Sequence, residues 1–431
     1  MNIPLFVFIL CFILTFVLKI PIALGMLMSS IYYFVLAPGP ATGVQMAATQ
    51  FLTQLNVKFI LIAVPLFVFT AKVMNTGAVT EMVFRFANTL VGKWKGGMGH
   101  VNVVASIIFS GMTGSAVADA SGLGIMEIES MRKQNYDDGF SCAITAASAT
   151  IGPIFPPSIP MIFYAMFSGA SIGNLFLGGM APGILIGLAL MVYIAYIAKK
   201  RNYPKGEVYS IKEFIKITIK AIPALLTPVI LLGGIYSGIV TPTEAGALAA
   251  FYSIIISFFV YRTMGLKQLI NVIIDTVKTT GTLSIIVGAA FVFSYIVAIE
   301  HIPDMISGIF LGFTNNKYIL LLIINIVFII LGMFIDTSCL QVVFVPMVLP
   351  LVNAVGIDLV HFGIVIVLNM MIGLSTPPFG MLLFIVSGIS DTPLQIIIKE
   401  IFPMLLVLII VLLMVTYIPD IVLFIPRSVG W

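Results

Sequence analysis

Apolar residues fill this chain in long runs, and polar residues interrupt them briefly and repeatedly. From the N-terminus the pattern predicts apolar helices over about 3–18 and 22–36, each close to the roughly 20 residues that cross a hydrocarbon layer. Residues 37–57, with Pro38, Gly39 and Pro40, read as a mixed connection, followed by a helix over about 58–74. Residues 76–99 are amphipathic and carry Glu81, Arg85, Lys93, Trp94 and Lys95, which suits a helix lying at an interface. Residues 101–110 are apolar but too few to span, and the stretch Gly111 to Asp119 is small and polar. A second short helix ends near Ser130, before a charged turn from Arg132 to Asp138. Two short helices around a polar tip predict a re-entrant hairpin.

A short helix over 140–151 stops at Gly152-Pro153-Ile154-Phe155-Pro156-Pro157-Ser158 and resumes over 159–167. That is a broken span. A helix over 175–198 completes the half, and 199–221 is a polar connection. The second half repeats the plan. Helices are predicted over 222–240 and 243–261, then a basic stretch over 262–278, then helices over 280–299 and, amphipathic, 301–317. Segments 319–331 and 339–355 flank a second tip, Gly332 to Ser338. A helix over 360–373 breaks at Gly373-Leu374-Ser375-Thr376-Pro377-Pro378-Phe379-Gly380 and resumes over 381–388, and a last span covers 401–418.

The repeat has a fixed period. Gly111-Met112 and Gly332-Met333, Gly152 and Gly373, Pro156-Pro157 and Pro377-Pro378, and Pro21 and Pro242 are each 221 positions apart. Five spans and one hairpin per half place the second half upside down. With the N-terminus outside, the cytoplasmic side then collects Lys19, the 72–95 cluster, Arg132, Lys133, the basic run 199–220, Arg262, Lys267, Lys278 and Lys399. Only Lys58, Lys317 and Arg427 stay outside, as the positive-inside rule requires. The expected fold is therefore an all-α polytopic membrane protein: inverted repeats with two re-entrant hairpins and two broken helices. The tips are expected to meet near the midplane.

Composition closes off other classes. Of 431 residues, 60% are hydrophobic and 9% charged, and mean hydropathy is +1.18. A soluble surface is not available, since typical soluble domains are roughly 25% charged. Net charge is +4 and scattered, so nucleic acid is not an expected partner, whereas membrane lipids are. Cys11, Cys142 and Cys339 sit in apolar runs without metal or redox spacing, and Met1 to Leu18 lacks the basic start of a cleavable signal. His100, His301 and His361 have no ligand spacing, and no Walker or dinucleotide motif is present. No nucleophile–base pair or metal set points to an intramembrane enzyme. No catalytic residue is expected.

The breaks carry the candidate chemistry. A peptide group freed in hydrocarbon costs several kcal/mol unless protein, ion or water satisfies it, and paired prolines write these breaks into the chain. Freed carbonyls suit Na⁺, and freed helix N-termini suit an anionic solute. Asp336, with Thr337 and Ser338 beside it at the second tip, is the sharpest residue. It reads as a Na⁺ ligand, with a proton site and a structural hydrogen-bonding residue as alternatives. The metal set expected around it is Ser110, Gly152, Thr337, Gly373 and Thr376. The substrate set is Ser110, Thr113, Ser115, Pro156, Ser158, Ser375 and Thr376, with local helix capping as the alternative for the hydroxyls. Asp119 reads as a helix cap or structural residue, with a coupling role as the alternative, and Glu244 as a helix N-terminal charge.

These motifs resemble one family. The stretches Phe109-Ser-Gly-Met-Thr-Gly-Ser-Ala-Val-Ala-Asp119, Ile151-Gly-Pro-Ile-Phe-Pro-Pro-Ser158, Ile239-Val-Thr-Pro-Thr-Glu-Ala-Gly246, Leu331-Gly-Met-Phe-Ile-Asp336 and Ile372-Gly-Leu-Ser-Thr-Pro-Pro-Phe-Gly380 are similar to the large membrane subunit of tripartite ATP-independent periplasmic (TRAP) transporters, the DctM-like proteins. The similarity covers essentially the whole chain. It implies a bacterial inner-membrane protein that pairs with a small four-helix membrane subunit (DctQ-like), here a separate chain. It also implies a soluble periplasmic binding protein that delivers an acidic solute, Na⁺ as coupling ion, and an elevator motion. C4-dicarboxylates and sialic acid are among the family's solutes. On this reading 1–75 and 222–300 are scaffold, 76–96 and 301–317 are interfacial braces, and 199–221 is a cytoplasmic connection. Residues 97–198 and 318–431 are transport parts, the latter including the last span. A stand-alone ion-coupled anion transporter is the rival reading from the residues alone.

Overall fold

The structure is a computed structural model that describes residues 3–430 apart from Pro38, Pro40, Ala41, Lys58, Thr76 and Asn315. Pro38, Pro40 and Lys58, named above, thus lie outside the described residues. The described chain is helical, with one isolated antiparallel bridge between Lys95 and Lys205.

The first half runs α1 (Ile3–Val17), α2 (Ile22–Leu36), α3 (Val44–Val57), α4 (Ala63–Met74), α5 (Gly77–Val91), α6 (Gly97–Thr113), α7 (Ala116–Lys133), α8 (Asp138–Ala149), α9 (Ile159–Ser168) and α10 (Ile172–Lys200). The second runs α11 (Ile211–Tyr236), α12 (Pro242–Ile255), α13 (Leu266–Ile299), α14 (Ile302–Phe313), α15 (Lys317–Gly332), α16 (Thr337–Ala354), α17 (Leu359–Leu374), α18 (Met381–Ser390), α19 (Leu394–Tyr417) and α20 (Asp420–Ser428). Element boundaries keep the 221 period: α7 and α16 start 221 residues apart, as do α8 and α17.

By length and composition α10, α11, α12 with its π-helical extension, α13, α16 and α19 can each cross a membrane. Shorter apolar helices, among them α9, α15, α17 and α18, build the tips and breaks. Each break in the chain has a local cause. Ser115, Ser158 and Ser171 cap the helices that follow them, and Ser210–Glu213 and Thr241–Glu244 form capping boxes. Glu244 is thus the helix N-terminal charge that was expected.

Several expected boundaries are corrected. The connection expected over 37–57 contains α3. Its Met46, Ala47 and Phe51 pack on α13, and the Phe51 ring lies against Gly288, where a Cβ would approach it to 2.6 Å. The polar start of α11 and the basic start of α13 are helical too. Charged residues at a helix end keep their heads in water while the stems lie on apolar surface. The arm expected over 101–110 starts at Gly97, because Gly96, at φ +76°, turns the chain directly into it. The second hairpin's outgoing arm was expected as a non-spanning piece, yet α16 is long and apolar enough to cross by itself.

Two apolar cores result. One gathers α1, α2 and α13, where the Phe293 ring sits 4.7 Å from Phe8 and 4.6 Å from Phe12. The other holds both hairpins and both broken helices. Within it the halves exchange arms: α7 packs on α18, and α16 packs on α9.

One end of this second core is stapled by charge. Arg201, after α10, makes a two-pronged pair with Glu400 of α19 at 2.8 and 2.9 Å and reaches Asp137 before α8 at 3.0 Å. Tyr203 donates to Asp137 at 2.6 Å, and burial first, then the Asp137 carboxylate, pushes its phenol above the ordinary tyrosine value. Arg132 ties α7 to Asp138, the Ser390 carbonyl and Thr392. Arg201→Ala is expected to lower stability by about 1–2 kcal/mol, because Glu400 is only 18% exposed and loses a planar partner. Arg201→Lys should recover less than half of that loss, since a single ammonium cannot hold Glu400 and Asp137 at once as the two rigidly spaced guanidinium nitrogens do. Thermal unfolding of the purified chain in detergent measures both; equal stability of wild type and Arg201→Ala would refute the staple.

Candidate functional site

Each hairpin tip lies against the break of its own half. In the first half Gly114 takes φ +61°, and a Cβ there would come within 2.3 Å of the Pro157 carbonyl oxygen. The Ile159 N–H donates to the Gly114 carbonyl at 3.4 Å. Only glycine admits both the left-handed turn and this approach. In the second half Gly332 and Gly373 bring backbones together: a Cβ on Gly373 would lie 2.8 Å from the Gly332 Cα. The Phe334 ring of the second tip sits 5.5 Å from Phe379 of the second break. Both Pro156-Pro157 and Pro377-Pro378 are cis.

The first cluster is the tighter one. Thr113 donates to the Asp119 carboxylate, and the other Asp119 oxygen points at Gly152, where a Cβ would meet it at 2.4 Å. That oxygen is buried and has no hydrogen-bond partner. Asp119 is not the expected cap. Ser115 caps α7, accepting from the Ala118 N–H at 3.4 Å, while Asp119 sits one turn further in with 2% of its surface exposed. Ser158 caps α9 and donates back to the Pro153 carbonyl. Pro156 is buried beside it.

The hydroxyls share one habit. Ser110 donates to the Ile107 carbonyl at 2.6 Å, Thr376 to Ile372 at 2.6 Å, and Ser375 to Ile372 at 3.0 Å. A hydroxyl that gives its proton backward along its helix presents lone pairs outward. Such oxygens suit a hard cation. The structure therefore groups Thr113, Ser115, Gly152, Pro156 and Ser158 around the first tip and break, with Ser110 on the arm above. Gly373, Ser375 and Thr376 group around the second break.

Asp336, on the second tip, hydrogen-bonds to neither group. It is exposed and caps α16, accepting from the Ser338 N–H at 2.9 Å. Thr337 next to it is buried, and its hydroxyl lacks a partner. Among the described residues no group of three His, Cys, Asp or Glu side chains is placed to hold a metal. Any cation here would rest on hydroxyls, carbonyls and single carboxylates.

Sequence reasoning missed a second buried acid, Glu127 of α7, and its partner Asn102 of α6. The available signal was that Asp119 and Glu127 lie eight residues apart, on one side of a helix whose stretch between them is small and apolar. The open cavity of about 540 Å³ lined by Asp137, Arg201, Lys399 and Glu400 belongs to the charged staple and lies away from both tips.

A broken-helix membrane fold with two docked hairpins defines the class, that of a polytopic transporter. The fold matches the crystal structure of the Alcanivorax borkumensis YdaH transporter, described as having an unusual topology. The TM-score is 0.66 at 12% identity, over 91% of this chain and 96% of that one. Residues 8–421 match the family model for the DctM component of the tripartite ATP-independent periplasmic transporter, and the chain belongs to that family. It is a large permease component in the inner membrane and not an enzyme. It is 43% identical to the Vibrio cholerae sialic acid TRAP transporter large permease protein SiaM, over 94% of this chain and 95% of that one. It is 40% identical to the Haemophilus influenzae sialic acid TRAP transporter permease protein SiaT, over 95% of this chain and 66% of that longer protein. The Pseudomonas aeruginosa C4-dicarboxylate large permease DctM is 37% identical over 86% of this chain and 87% of its own length.

Gly373→Ala tests the close approach. The new methyl has backbone on its far side and forces α15 and α17 apart, an overpacking cost of about 1–3 kcal/mol. Gly281→Ala on α13 meets open space and should be neutral or slightly stabilising. Melting temperatures of the two variants compare them; a Gly373→Ala protein as stable as Gly281→Ala would refute the contact.

Proposed function

We propose that this chain is the large permease of a Na⁺-coupled importer of a carboxylated solute, of the sialic acid class. Its relatives named for sialic acid and for C4-dicarboxylates are similar over nearly the whole chain, which supports that solute class. A separate small four-helix membrane subunit enlarges the scaffold, and a soluble periplasmic binding protein delivers the solute. The name of the Oleidesulfovibrio alaskensis isethionate permease DctMQ, 37% identical and longer than this chain, supports a second membrane component.

The observation that carries the reading is the pair of proline-broken helices, each with a hairpin tip docked on its break. Na⁺ binds where tip and break meet, using Ser110, Gly152, Gly373, Thr376, Asp336 and Thr337. That ordering completes a pocket for the carboxylate at Ser110, Thr113, Ser115, Pro156, Ser158, Ser375 and Thr376. No cationic side chain stands in this set, so helix N-termini, hydroxyls and the bound Na⁺ recognise the anion. The loaded transport part, 97–198 with 318–431, then slides as an elevator against the scaffold. Charge neutralisation matters, because an anion beside an unpaired carboxylate would be prohibitive in hydrocarbon.

Asp336→Asn separates the coupling role from the capping role. Asparagine caps a helix as well as aspartate does, so folding should persist. Na⁺-dependent uptake into vesicles reconstituted with the small subunit and binding protein should fall by about tenfold or more, the loss of a charge-assisted ligand. Uptake that keeps its wild-type Na⁺ dependence would count against the assignment. Solute uptake without the binding protein would favour the stand-alone rival.

A further inference from the structure

The proposed cycle leaves one buried acid unused. Glu127 lies in the middle of the packing of α6, α7 and α8, with 2% of its surface exposed. Asn102, fully buried, donates from Nδ2 to the Glu127 Oε2 at 2.9 Å and to the Thr145 Oγ1 at 2.7 Å. Ser148 donates to the Asn102 Oδ1 at 2.7 Å, and Ser106 donates to Ser148 at 3.1 Å. Both amide hydrogens of Asn102 are therefore spent, and the network is neutral throughout. The remaining Glu127 oxygen, Oε1, is buried and accepts no hydrogen bond.

No cation compensates this carboxyl. On α7 itself Arg132 is committed to Asp138, and Lys133 is at the end of the helix beyond it. On α8 the titratable groups are Asp138 and Cys142, the latter bonded to Ser390 and Thr392. On α6 the titratable group is His100, packed edge-on to Trp94. The acid and base of α5, Glu81 and Arg85, pair with each other, and α18 has no charged residue. Among the described residues no ion pair reaches Glu127. The other acids of α7, Glu129 two residues on and Asp119 two turns back, bear the same sign. An ionised Glu127 would thus be a buried charge met only by neutral donors, the Asn102 amide and the neighbouring Ser106 and Thr145 hydroxyls, and burial outweighs them.

We propose that Glu127 is a resident proton-binding site, its carboxyl carried neutral with the proton on Oε1. The proton turns an orphan acceptor into a donor toward the flanking hydroxyl oxygens of Ser106 and Thr145. This closes the polar network that joins three helices of the first hairpin and first broken span. Loss of the proton leaves a bare charge there and loosens that joint. The site is separate from the tips and needs no solute.

Infrared spectroscopy of the purified full-length chain reads the proton directly. At neutral pH the wild type should show a neutral-carboxyl carbonyl stretch that Glu127→Gln lacks, and Asn102→Ala should shift its frequency. Glutamine mimics the neutral acid in shape and donor pattern, so Glu127→Gln should fold and melt no lower than wild type. The native state holds a proton that the unfolded chain releases above the ordinary carboxyl range, so this site makes the wild-type melting temperature fall as pH rises from that range toward the native carboxyl's own titration. Glu127→Gln should lose that component of the slope. A difference spectrum that shows loss of a carboxylate band instead, a Glu127→Gln chain that fails to fold, or identical pH profiles would each overturn the proposal.

Discussion

Hydrocarbon contains no water, so every peptide group within it needs a partner from the protein or from something the protein binds. Most of this chain meets that demand by continuous helix. At 150–158 and 375–380 it does not, because paired prolines remove donors and end the ladder. The protein answers with the hairpins. The first tip brings the Gly114 carbonyl to the Ile159 N–H, and serines at 115 and 158 cap the helices that leave the tip and the break. The second brings backbone against backbone at Gly332 and Gly373. The remaining architecture positions these two junctions.

That requirement explains why the halves exchange arms. A hairpin docked on its own break presents its outgoing arm sideways, and in each half that arm packs on the resumed helix of the other half: α7 on α18, α16 on α9. The two junctions thereby become parts of one apolar core, and neither can shift far without the other. Arg132 and Arg201 add charged staples at the end of that core, where the loops leave it. Such a core is suited to moving as one body.

Much of this was legible in the residues. The glycine pairs and proline pairs at a spacing of 221 mark both junctions, since backbone geometry there depends on residue type and not on context. Helix ends were less legible. The segment containing α3 reads as loop because glutamines, threonines and prolines crowd 37–57, yet Met46, Ala47 and Phe51 give it a face for α13. The starts of α11 and α13 read as connections because lysines interrupt their apolar pattern, yet a lysine at a membrane edge only ends the apolar part of a helix. Partner identity was least legible. Nothing local to Asn102 or Glu127 announces that they meet, because 25 residues and a hairpin turn separate them.

The acids sharpen the same point. Asp336 drew attention because its sequence neighbours are apolar, but sequence neighbours are not spatial ones. Its backbone leaves the apolar segment at that residue, and its carboxylate folds onto the next helix's first amides, where the dipole and Ser338 hold it at the surface of the isolated chain. Asp119 sits between Ala118 and Ala120, and Glu127 sits between Met126 and Ile128; the alanines and serines of α8 are what allow α6, α7 and α8 to close over both. In a membrane fold the deepest acid is found where helices approach most tightly. Tight approach is written in small residues, so an acid whose own helix or facing helix is rich in alanine, glycine and serine is a stronger sign of burial than one marked only by apolar sequence neighbours. On that argument the first hairpin holds the fold's committed buried acids, and the second offers a carboxylate that can still turn toward an arriving ion.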